Sequence, residues 1–544
     1  MKFLRILVAV GVGAALLPTP APAQEDPRLS AIEAQIKALQ AELQRVRRDL
    51  AARDGEVRAA RQGAAQARAS QARLAKTPPS GVQPTSGQPA SGQPASGQGG
   101  GQPAGGGTDS SPAQSTAPAS TSASAAPVNP GGISFPQGRP TLTSNDGRFS
   151  AAVGLQLHYD MGGYFQGGRN PDTRGVPRLN SFGQNLRRAR IPFVFKYDDF
   201  QINVTPDFGG SPDGQPTLYE ANFNWSPVKP LVATLGYYKP QLTLQDSMSS
   251  NDFLFLERPS IVEIARNIAA GDGRVVVGAR WAADRYFLAG YLTGGTYGSQ
   301  SAALATPQQT GAVLRVAGRP VATSNWDVHA GFSASDAFRI QRTASGQTIN
   351  LQDRPELRID QNRLISTGAL NARSAYEYGP EFGIRWRNLL LQGEYIRIGV
   401  DRNDGGARVR TPGLEFSGGY AEASWVITGE PRSYVVSAGA FGSPKPAREF
   451  SPKDGGYGAF ELVGRYSRID LNDRVTRAVA SSATGGVYGG TQDIYAVGLN
   501  WYPNQQLRFM LDYDIINVDR LNASGTTQVG QRVQAVAVRA QAAF

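Results

Sequence analysis

The segment Gln531–Phe544 reads Q-R-V-Q-A-V-A-V-R-A-Q-A-A-F and ends the sequence. Apolar side chains take every second position from residue 536 onward: Val536, Val538, Ala540 and Ala542. Arg539 and Gln541 lie between them and would point to the opposite face of a β-strand. A strand with one apolar and one polar face suits a closed barrel with lipid outside and water inside. We therefore predict an all-β transmembrane barrel whose strands run to the terminal Phe544.

The first 23 residues are typical of an export signal. Lys2 and Arg5 precede an apolar run from Ile6 to Leu17, and Ala21-Pro22-Ala23 is a small-x-small cleavage pattern. The run is too short to span a bilayer as a helix, and no other stretch reaches the roughly 18 uninterrupted apolar residues that a spanning helix needs. A membrane protein with this sequence would therefore cross as strands. A secreted soluble protein is the alternative reading of the signal.

The composition excludes several kinds of chemistry. The chain has no Cys and two His, His158 and His329, so thiol catalysis, disulfides and the common zinc ligand sets are disfavoured. We find no nucleophile with a base at a useful spacing, and we expect no enzyme activity, no cofactor and no metal site. The net charge is +11. Because the cations are dispersed along an exported chain, we expect no nucleic-acid partner.

Residues 24–76 predict a periplasmic coiled coil. Apolar residues recur at alternating spacings of three and four, with only Arg53 breaking the series: Leu29, Ile32, Ile36, Leu39, Leu43, Val46, Leu50 and Val57. Leu at some a positions with Ile at d favours three or four strands, and we expect a trimer. The alternative is a solitary surface helix.

Residues 77–138 predict a disordered linker. They are rich in Pro, Gly, Ser and Gln, and the pentapeptide Ser86–Ala90 is repeated at Ser91–Ala95. This composition cannot bury a core, so we expect a flexible tether with a reach on the order of 40 Å.

From residue 139 to residue 544, segments with period-two apolarity alternate with turn-rich stretches. In Phe149–Met161 the odd positions are apolar and the side chains between them include Gln156, His158 and Asp160. Segments around Phe193, Val277 and Phe509 follow the same lipid-out, water-in pattern. At about 50 residues for two strands with their connections, this region predicts about 16 antiparallel strands. A large soluble β-sandwich would share the alternation and is the alternative.

Five motifs in this region, in this order and with a terminal Phe, resemble the phosphate-selective porin O and P family: NLRRAR (Asn185–Arg190), LFLERP (Leu254–Pro259), FSGGYAEASWVITGE (Phe416–Glu430), GAFELVGRYS (Gly458–Ser467) and GLNWYPN (Gly498–Asn504). The resemblance covers essentially the whole barrel region. It implies a 16-stranded trimeric barrel, a loop folded inward to narrow the lumen, and arginines along the channel wall that attract anions. Phe544 stands where a membrane-assembly signal would lie.

Arginines opposite the predicted lipid face are the candidates for such an anion pathway: Arg188, Arg190, Arg274, Arg280, Arg385, Arg387, Arg508 and Arg539. Guanidinium groups spaced along a narrow channel raise the local anion concentration and offer weak successive sites. The alternative is that they pair with lumen acids such as Asp198, Glu220, Asp512 and Asp514 and merely hydrate the wall. Arg188 and Arg190 are the strongest candidates, because they lie within one of the five motifs.

The predicted constriction loop departs from the family pattern, in which the segment before the Leu-Glu-Arg motif bears lysines. Residues 244–252 contain no cation, and Asp246 and Asn251 stand where we would expect lysines. A carboxylate there would repel anions, so high phosphate selectivity is not expected. The candidate loop residues are Tyr238, Lys239, Asp246, Ser249, Ser250 and Asn251. The serines and Asn251 are also good turn formers, which is the alternative role.

Together these observations predict a bacterial outer-membrane porin for the passive diffusion of small solutes, with a preference for anions, phosphate and other oxyanions among them. We expect a homotrimer in contact with outer-membrane lipid and lipopolysaccharide, with small anions as solutes and peptidoglycan as a candidate partner of the coiled coil. The alternative is a structural envelope protein that tethers the outer membrane to the cell wall through its coiled coil.

Overall fold

The computed structural model describes residues 131–166, 178–210, 216–271, 273–296, 308–343, 346–403 and 411–544. The predicted signal peptide, the coiled coil and all but the last residues of the linker lie outside these ranges and stay predictions. Within the ranges, no helix is both long and apolar enough to cross a lipid bilayer.

Sixteen antiparallel strands form the barrel, as the sequence predicted. In chain order they are β1 (Phe149–Val153 and Gln156–Phe165), β2 (Ser181–Arg190 and Phe193–Tyr197), β3 (Phe200–Asp207), β4 (Thr217–Trp225), β5 (Leu231–Tyr238), β6 (Arg274–Ala282), β7 (Tyr286–Thr296), β8 (Thr310–Ala322), β9 (Trp326–Arg339), β10 (Leu370–Trp386), β11 (Leu389–Arg402), β12 (Leu414–Val426), β13 (Ala459–Asp473), β14 (Val487–Tyr502), β15 (Leu507–Asp519) and β16 (Arg532–Ala543).

Each strand pairs with its neighbours in the chain, and the last strand pairs with the first. β16 runs antiparallel to β1, with Arg539 opposite Asp160 and Ala543 opposite Gln156. This pairing closes the barrel and leaves no free sheet edge. Two short strands lie beside the start of β1: Thr141–Thr143 pairs with its first part, and Gly132–Ser134 pairs with Thr141–Thr143.

The alternation of apolar and polar side chains matches the two faces of the wall. In β1, Leu157, Tyr159 and Met161 are exposed on the outside, whereas His158 and Asp160 are buried on the inside. Tryptophans lie where β4, β6, β10, β12 and β14 end and β9 begins: Trp225, Trp281, Trp386, Trp425, Trp501 and Trp326. They form an aromatic girdle at the barrel end that holds Phe544, which we call the turn end. The opposite end is the loop end.

Three segments fold into the lumen and provide most of its buried core. The first, residues 239–271 between β5 and β6, corresponds to the predicted constriction loop, keeps that name below, and contains helices α1 (Leu244–Ser247) and α2 (Ser260–Ala269). The second, residues 340–343 and 346–369, enters from the loop end and carries the short strands Arg342–Thr343, Gly346–Ile349, Gln352–Asp353 and Ile365–Ser366. The third, residues 427–458, enters from the turn end as a hairpin of Arg432–Val435 and Ala440–Pro444. A further short helix, α3 (Ser481–Thr484), lies in the loop between β13 and β14.

Carboxylates of the wall and of the second segment hold the constriction loop in place by accepting hydrogen bonds from its backbone amides. Thr243 caps α1 through its hydroxyl, and Glu394 of β11 accepts hydrogen bonds from the amides of Leu244 (2.6 Å) and Gln245 (3.1 Å). Glu356 of the second segment accepts the Ser260 amide at the start of α2 (3.2 Å). A carboxylate at a helix N-terminus satisfies amides that have no partner within the helix.

Candidate functional site

In the described part of the barrel, two cavities lie against the wall formed by β2, β3 and β4. The first, of about 290 Å³, lies towards the turn end and reaches Arg139 and Phe544. Its lining includes the constriction-loop residues Met248 to Asn251. Five cationic side chains line this cavity with one carboxylate, Glu220; the cations are Arg139, Arg188, Arg190, Lys239 and Arg258.

The second cavity, of about 420 Å³, lies towards the loop end. Arg187, Arg190, Arg354 and Arg358 line it, with Asp207 as its carboxylate. Both cavities are lined by Arg190 and Tyr219, so they meet at this pair. The Arg190 guanidinium lies 3.4 Å from the centroid of the Tyr219 ring, and its Nε is 2.7 Å from Asp207 Oδ2. The stacked pair therefore separates the two cavities, and we call it the narrow point.

A β-bulge brings two adjacent arginines of β2 to the inner face. The register between β1 and β2 shifts between His158 and Tyr159, where Arg188 pairs with His158 and Leu186 with Tyr159. Arg187, the extra residue, points inward to Glu257 of the constriction loop (2.6 Å). A strict period of two would have placed it outside, which is why the sequence pattern indicated Arg188 and Arg190 alone.

Asp246 is fully buried, and three cations surround its carboxylate. Oδ1 lies 2.6 Å from Arg266 Nε, 3.5 Å from Arg258 Nη2 and 3.7 Å from Lys239 Nζ. Burial alone would raise the pKa of Asp246, but these three charges hold it below its usual value. The sequence suggested repulsion of anions at this position. The structure instead gives Asp246 the role of binding both ends of the constriction loop together.

The remaining predicted loop residues divide between the cavity and the packing around it. Ser249, Ser250 and Asn251 line the first cavity. Gln156 of β1 donates to Ser250 Oγ (2.9 Å) and Asn251 Oδ1 (2.7 Å). Tyr238, the last residue of β5, packs against Tyr291, with 5.8 Å between ring centroids.

Of the eight predicted pathway arginines, Arg188 and Arg190 line the cavities. Four others are held elsewhere in the lumen. Arg274 donates to Ala270 O (2.7 Å) and Asn267 O (2.9 Å) at the end of α2, and Arg385 pairs with Asp327. Arg508 donates to Asn251 O (3.1 Å), and Arg539 pairs with Asp160 (2.6 Å).

The last two predicted pathway arginines have weaker contacts. Arg280 faces inward, and its Nη1 lies 3.4 Å from the Tyr238 hydroxyl. Arg387 is an exception to the predicted alternation, because β10 ends at Trp386 and Arg387 lies in the following turn with a positive φ of 51°. Its guanidinium lies 5.6 Å from the centroid of the Trp386 ring.

The opposite half of the lumen is filled by the hairpin that enters from the turn end. Arg315 of β8 donates to the carbonyls of Ala438 and Gly439 (2.7 Å each) and forms an ion pair with Glu381 (2.8 Å). His329 links Glu381 (2.9 Å) to the Tyr434 hydroxyl (2.9 Å). The charged side chains named in this half therefore hold the hairpin against the wall.

Sequence reasoning missed several residues that line the cavities: Arg139, Arg187, Tyr219, Arg258, Arg354 and Arg358. Arg187 and Arg258 lie inside two of the motifs that resemble the family, and those motifs could have identified them as candidates. Arg354 and Arg358 belong to an irregular segment in which periodicity carries no information about direction.

Sequence comparisons match the chain to a known porin family. The family model described as phosphate-selective porin O and P matches residues 151–544. An uncharacterized protein of Caulobacter vibrioides is 26% identical over 392 residues, which cover 70% of this chain and 71% of that protein. Porin O of Pseudomonas aeruginosa is 27% identical over 130 residues, which cover 24% of this chain and 27% of that protein.

Solved porin structures resemble the barrel with low sequence identity. OmpT of Vibrio cholerae in its trimer form matches 73% of this chain and 99% of its own, with 10% identity and a TM-score of 0.43. An anion-selective porin from Comamonas acidovorans matches 73% of this chain and 100% of its own, with 10% identity and a TM-score of 0.42. On the strength of the family match over residues 151–544, the chain belongs to the phosphate-selective porin O and P family and is an outer-membrane porin.

Proposed function

We propose that this porin passes small anions along the wall formed by β2, β3 and β4, through the two cavities that meet at Arg190 and Tyr219. The observation that carries the proposal is the charge of the lining: eight cationic side chains and two carboxylates. Arg190 and Arg188 lie on the wall, and Lys239 and Arg258 belong to the constriction loop. A narrow passage with this balance attracts anions and repels cations.

Arg188 is the side chain best placed to contact a passing anion. It is 2% exposed, and among the described residues no carboxylate lies within ion-pair distance of it. Its Nε is buried without a hydrogen-bond partner. A buried donor without a partner costs about 1–3 kcal/mol. An anion in the first cavity would not reach this buried atom, but it would supply the counter-charge that Arg188 lacks, and the solutes we propose are small oxyanions such as phosphate.

The test is electrical. We expect the purified chain in a planar bilayer to show a zero-current potential of the anion-selective sign in a potassium chloride gradient. The selectivity should weaken as ionic strength rises, because salt screens the wall charges. Added phosphate should reduce the chloride current if an oxyanion occupies the first cavity. A cation-selective channel would contradict the proposal, and anion selectivity without phosphate block would limit it to a general anion porin.

We further propose that the porin assembles as a homotrimer through the face of β3, β4 and β5. These strands have 8, 9 and 8 residues, whereas β10 has 17. About 9–11 residues are needed to span the bilayer, so β3 and β5 are too short to face lipid alone and β4 is at the lower limit. Phe200, Phe223 and Leu235 are more than half exposed on it. Phe223→Ser should weaken the oligomer in native mass spectrometry, whereas Phe382→Ser on β10 should not.

A further inference from the structure

The outer surface of the barrel changes from apolar to charged at a row of tyrosines near the loop end. Tyr378, Tyr395, Tyr466 and Tyr495 are exposed on the outside of β10, β11, β13 and β14. On β10, Tyr378 lies eight residues from Trp386, or roughly 26 Å along the strand. Aromatic rows at this separation mark the two interfaces of the membrane. The long connections of outer-membrane barrels face the cell exterior, so side chains at and beyond the tyrosine row lie at the level of the lipid headgroups in the outer leaflet.

Two adjoining grooves open on this outer surface, of about 260 Å³ and 450 Å³. Tyr376, Glu415 and Asp473 line both, and Arg397 lines the smaller one. The groove is built by the strand register, which aligns Tyr378, Arg397 and Ser417 in one row across β10, β11 and β12. The Tyr376 ring lies over Gly399, where a Cβ would come within 2.2 Å of the ring, so the glycine allows the tyrosine to lie against the wall.

Within the described part of the chain, Arg397 has no carboxylate as a counter-charge. Among the described residues, no carboxylate lies within ion-pair distance of it, and its polar neighbours are the tyrosines of its row. The nearby outward cations differ in this respect: Arg468 pairs with Asp493 at 2.8 Å, and Arg373 lies 3.8 Å from Asp401. An unpaired cation that faces the membrane is stable where lipid headgroups supply negative charge.

We propose that this groove binds the phosphorylated sugar headgroup of a glycolipid in the outer leaflet, with Arg397 donating hydrogen bonds to a phosphate. The carboxylates select the rest of the headgroup. Glu415 and Asp473 would repel a second phosphate, but they accept hydrogen bonds from sugar hydroxyls. The Tyr376 ring offers an apolar face beside them. Asp473 already accepts a hydrogen bond from the Glu415 amide (3.0 Å). A phosphatidylglycerol headgroup would satisfy Arg397 but would bring fewer hydroxyl donors to the two carboxylates than a sugar does.

The test measures lipid that remains on the full-length protein. Wild type, Arg397→Gln and the control Arg468→Gln are extracted from outer membranes in mild detergent and weighed by native mass spectrometry. Delipidated protein is then titrated with lipid A, with dephosphorylated lipid A and with phosphatidylglycerol. We expect wild type and Arg468→Gln to bind lipid A alike. Arg397→Gln should bind it about tenfold or more weakly, the size expected for a charge-assisted hydrogen bond.

Two results would overturn the proposal: equal lipid A binding by Arg397→Gln and wild type, or equal binding of the phosphorylated and dephosphorylated forms by wild type. Tighter binding of phosphatidylglycerol than of lipid A would overturn the choice of a sugar headgroup. The heat-dependent gel mobility of folded barrels shows whether each variant is folded. The inference does not rest on the anion pathway, because Arg397 faces outward and Arg397→Gln should leave channel selectivity unchanged.

Discussion

Arg188 Nη1 lies 3.1 Å from His158 Nδ1. Because arginine has only donors, Nδ1 must be the acceptor, and the imidazole proton is then on Nε2. Nε2 lies 2.8 Å from Asn251 Oδ1, so it donates to the constriction loop. A neutral histidine thus connects the wall arginine to the loop. The contact fixes one edge of the Arg188 guanidinium and leaves its other donors for the cavity.

The first prediction concerns the charge of Arg188. Arg188→Gln removes a buried cation but keeps an amide that can donate to His158. We expect the anion-to-cation permeability ratio to fall roughly fivefold, which corresponds to a loss of about 1 kcal/mol of Coulomb attraction. Zero-current potentials in a salt gradient measure the ratio.

Arg280→Gln is the matched control for Arg188→Gln. Arg280 also faces inward, but it does not line either cavity. Its loss should change the ratio little. Equal effects of the two substitutions would show that selectivity follows the total charge of the wall rather than the position of Arg188.

The second prediction concerns the narrow point. Tyr219→Ala removes the ring that separates the two cavities and weakens the restraint on Arg190 by about 0.5–1 kcal/mol, the usual size of an exposed cation–π contact. Single-channel conductance should rise while anion selectivity persists, because Arg190 keeps its ion pair with Asp207. Phe223→Ala, on the same strand but facing outward, is the control. An unchanged conductance in Tyr219→Ala would place the main resistance elsewhere.

The barrel was predictable because its outside is lipid. In β15, Phe509, Leu511 and Tyr513 face outward and Arg508 and Asp512 face inward, as a period of two requires. The alternation is sharp because a polar side chain on the lipid side is costly. The number of strands followed from the length of the region, at about 50 residues for two strands with their connections.

The lumen was less predictable because its lining comes from segments without periodicity. The bulge at His158 turned Arg187 inward, and Arg354 entered the second cavity from an irregular loop. The sequence also does not show which acid each lumen arginine pairs with. Arg539 was a reasonable pathway residue by its direction, but Asp160 lies directly opposite it on β1 and forms its ion pair.

The third prediction concerns Asp246, which joins the beginning of the constriction loop to α2. Asp246→Asn leaves Lys239, Arg258 and Arg266 beside a neutral amide. Removing one partner of a buried ion pair costs about 3–5 kcal/mol. We expect a lower thermal stability and a noisier, larger conductance as the loop loosens. Asp198→Asn, at an exposed ion pair with Arg148, should change neither. Wild-type behaviour in Asp246→Asn would show that the other contacts of the loop suffice.

The fourth prediction concerns pH. Burial would raise the pKa of Asp246 and of Glu257, but neighbouring cations hold both values below the ordinary range, and that of Glu257 well below it. A carboxyl with a lowered pKa contributes stability that is complete above its unfolded value, near 4, and is lost as pH falls through the folded value. The stability that Asp246 adds, measured as the difference between wild type and Asp246→Asn, should therefore be constant from about pH 8 to pH 5 and shrink only below about pH 4. A loss of that difference near pH 6 would contradict this assignment.

The fifth prediction concerns the hairpin that fills the other half of the lumen. Glu381 holds Arg315 and His329, and Arg315 in turn holds the carbonyls of Ala438 and Gly439. Glu381→Gln leaves the Arg315 guanidinium without its buried carboxylate, at a cost of about 3–5 kcal/mol, and should loosen the hairpin. Arg432, at its start, is 2% exposed, so trypsin should cut after it far faster in the variant than in wild type.

Glu415→Gln is the control for this fifth prediction, because Glu415 faces outward and does not contact the hairpin. Cleavage after Arg432 should stay slow in that variant. The conductance of Glu381→Gln should also rise and lose anion selectivity, since the space opened beside the hairpin is lined by Asp327 and Glu461 as well as by arginines. Slow cleavage together with normal conductance in Glu381→Gln would mean that the other contacts of the hairpin, such as that of Ser443 with Asp252 (2.9 Å), hold it without Arg315.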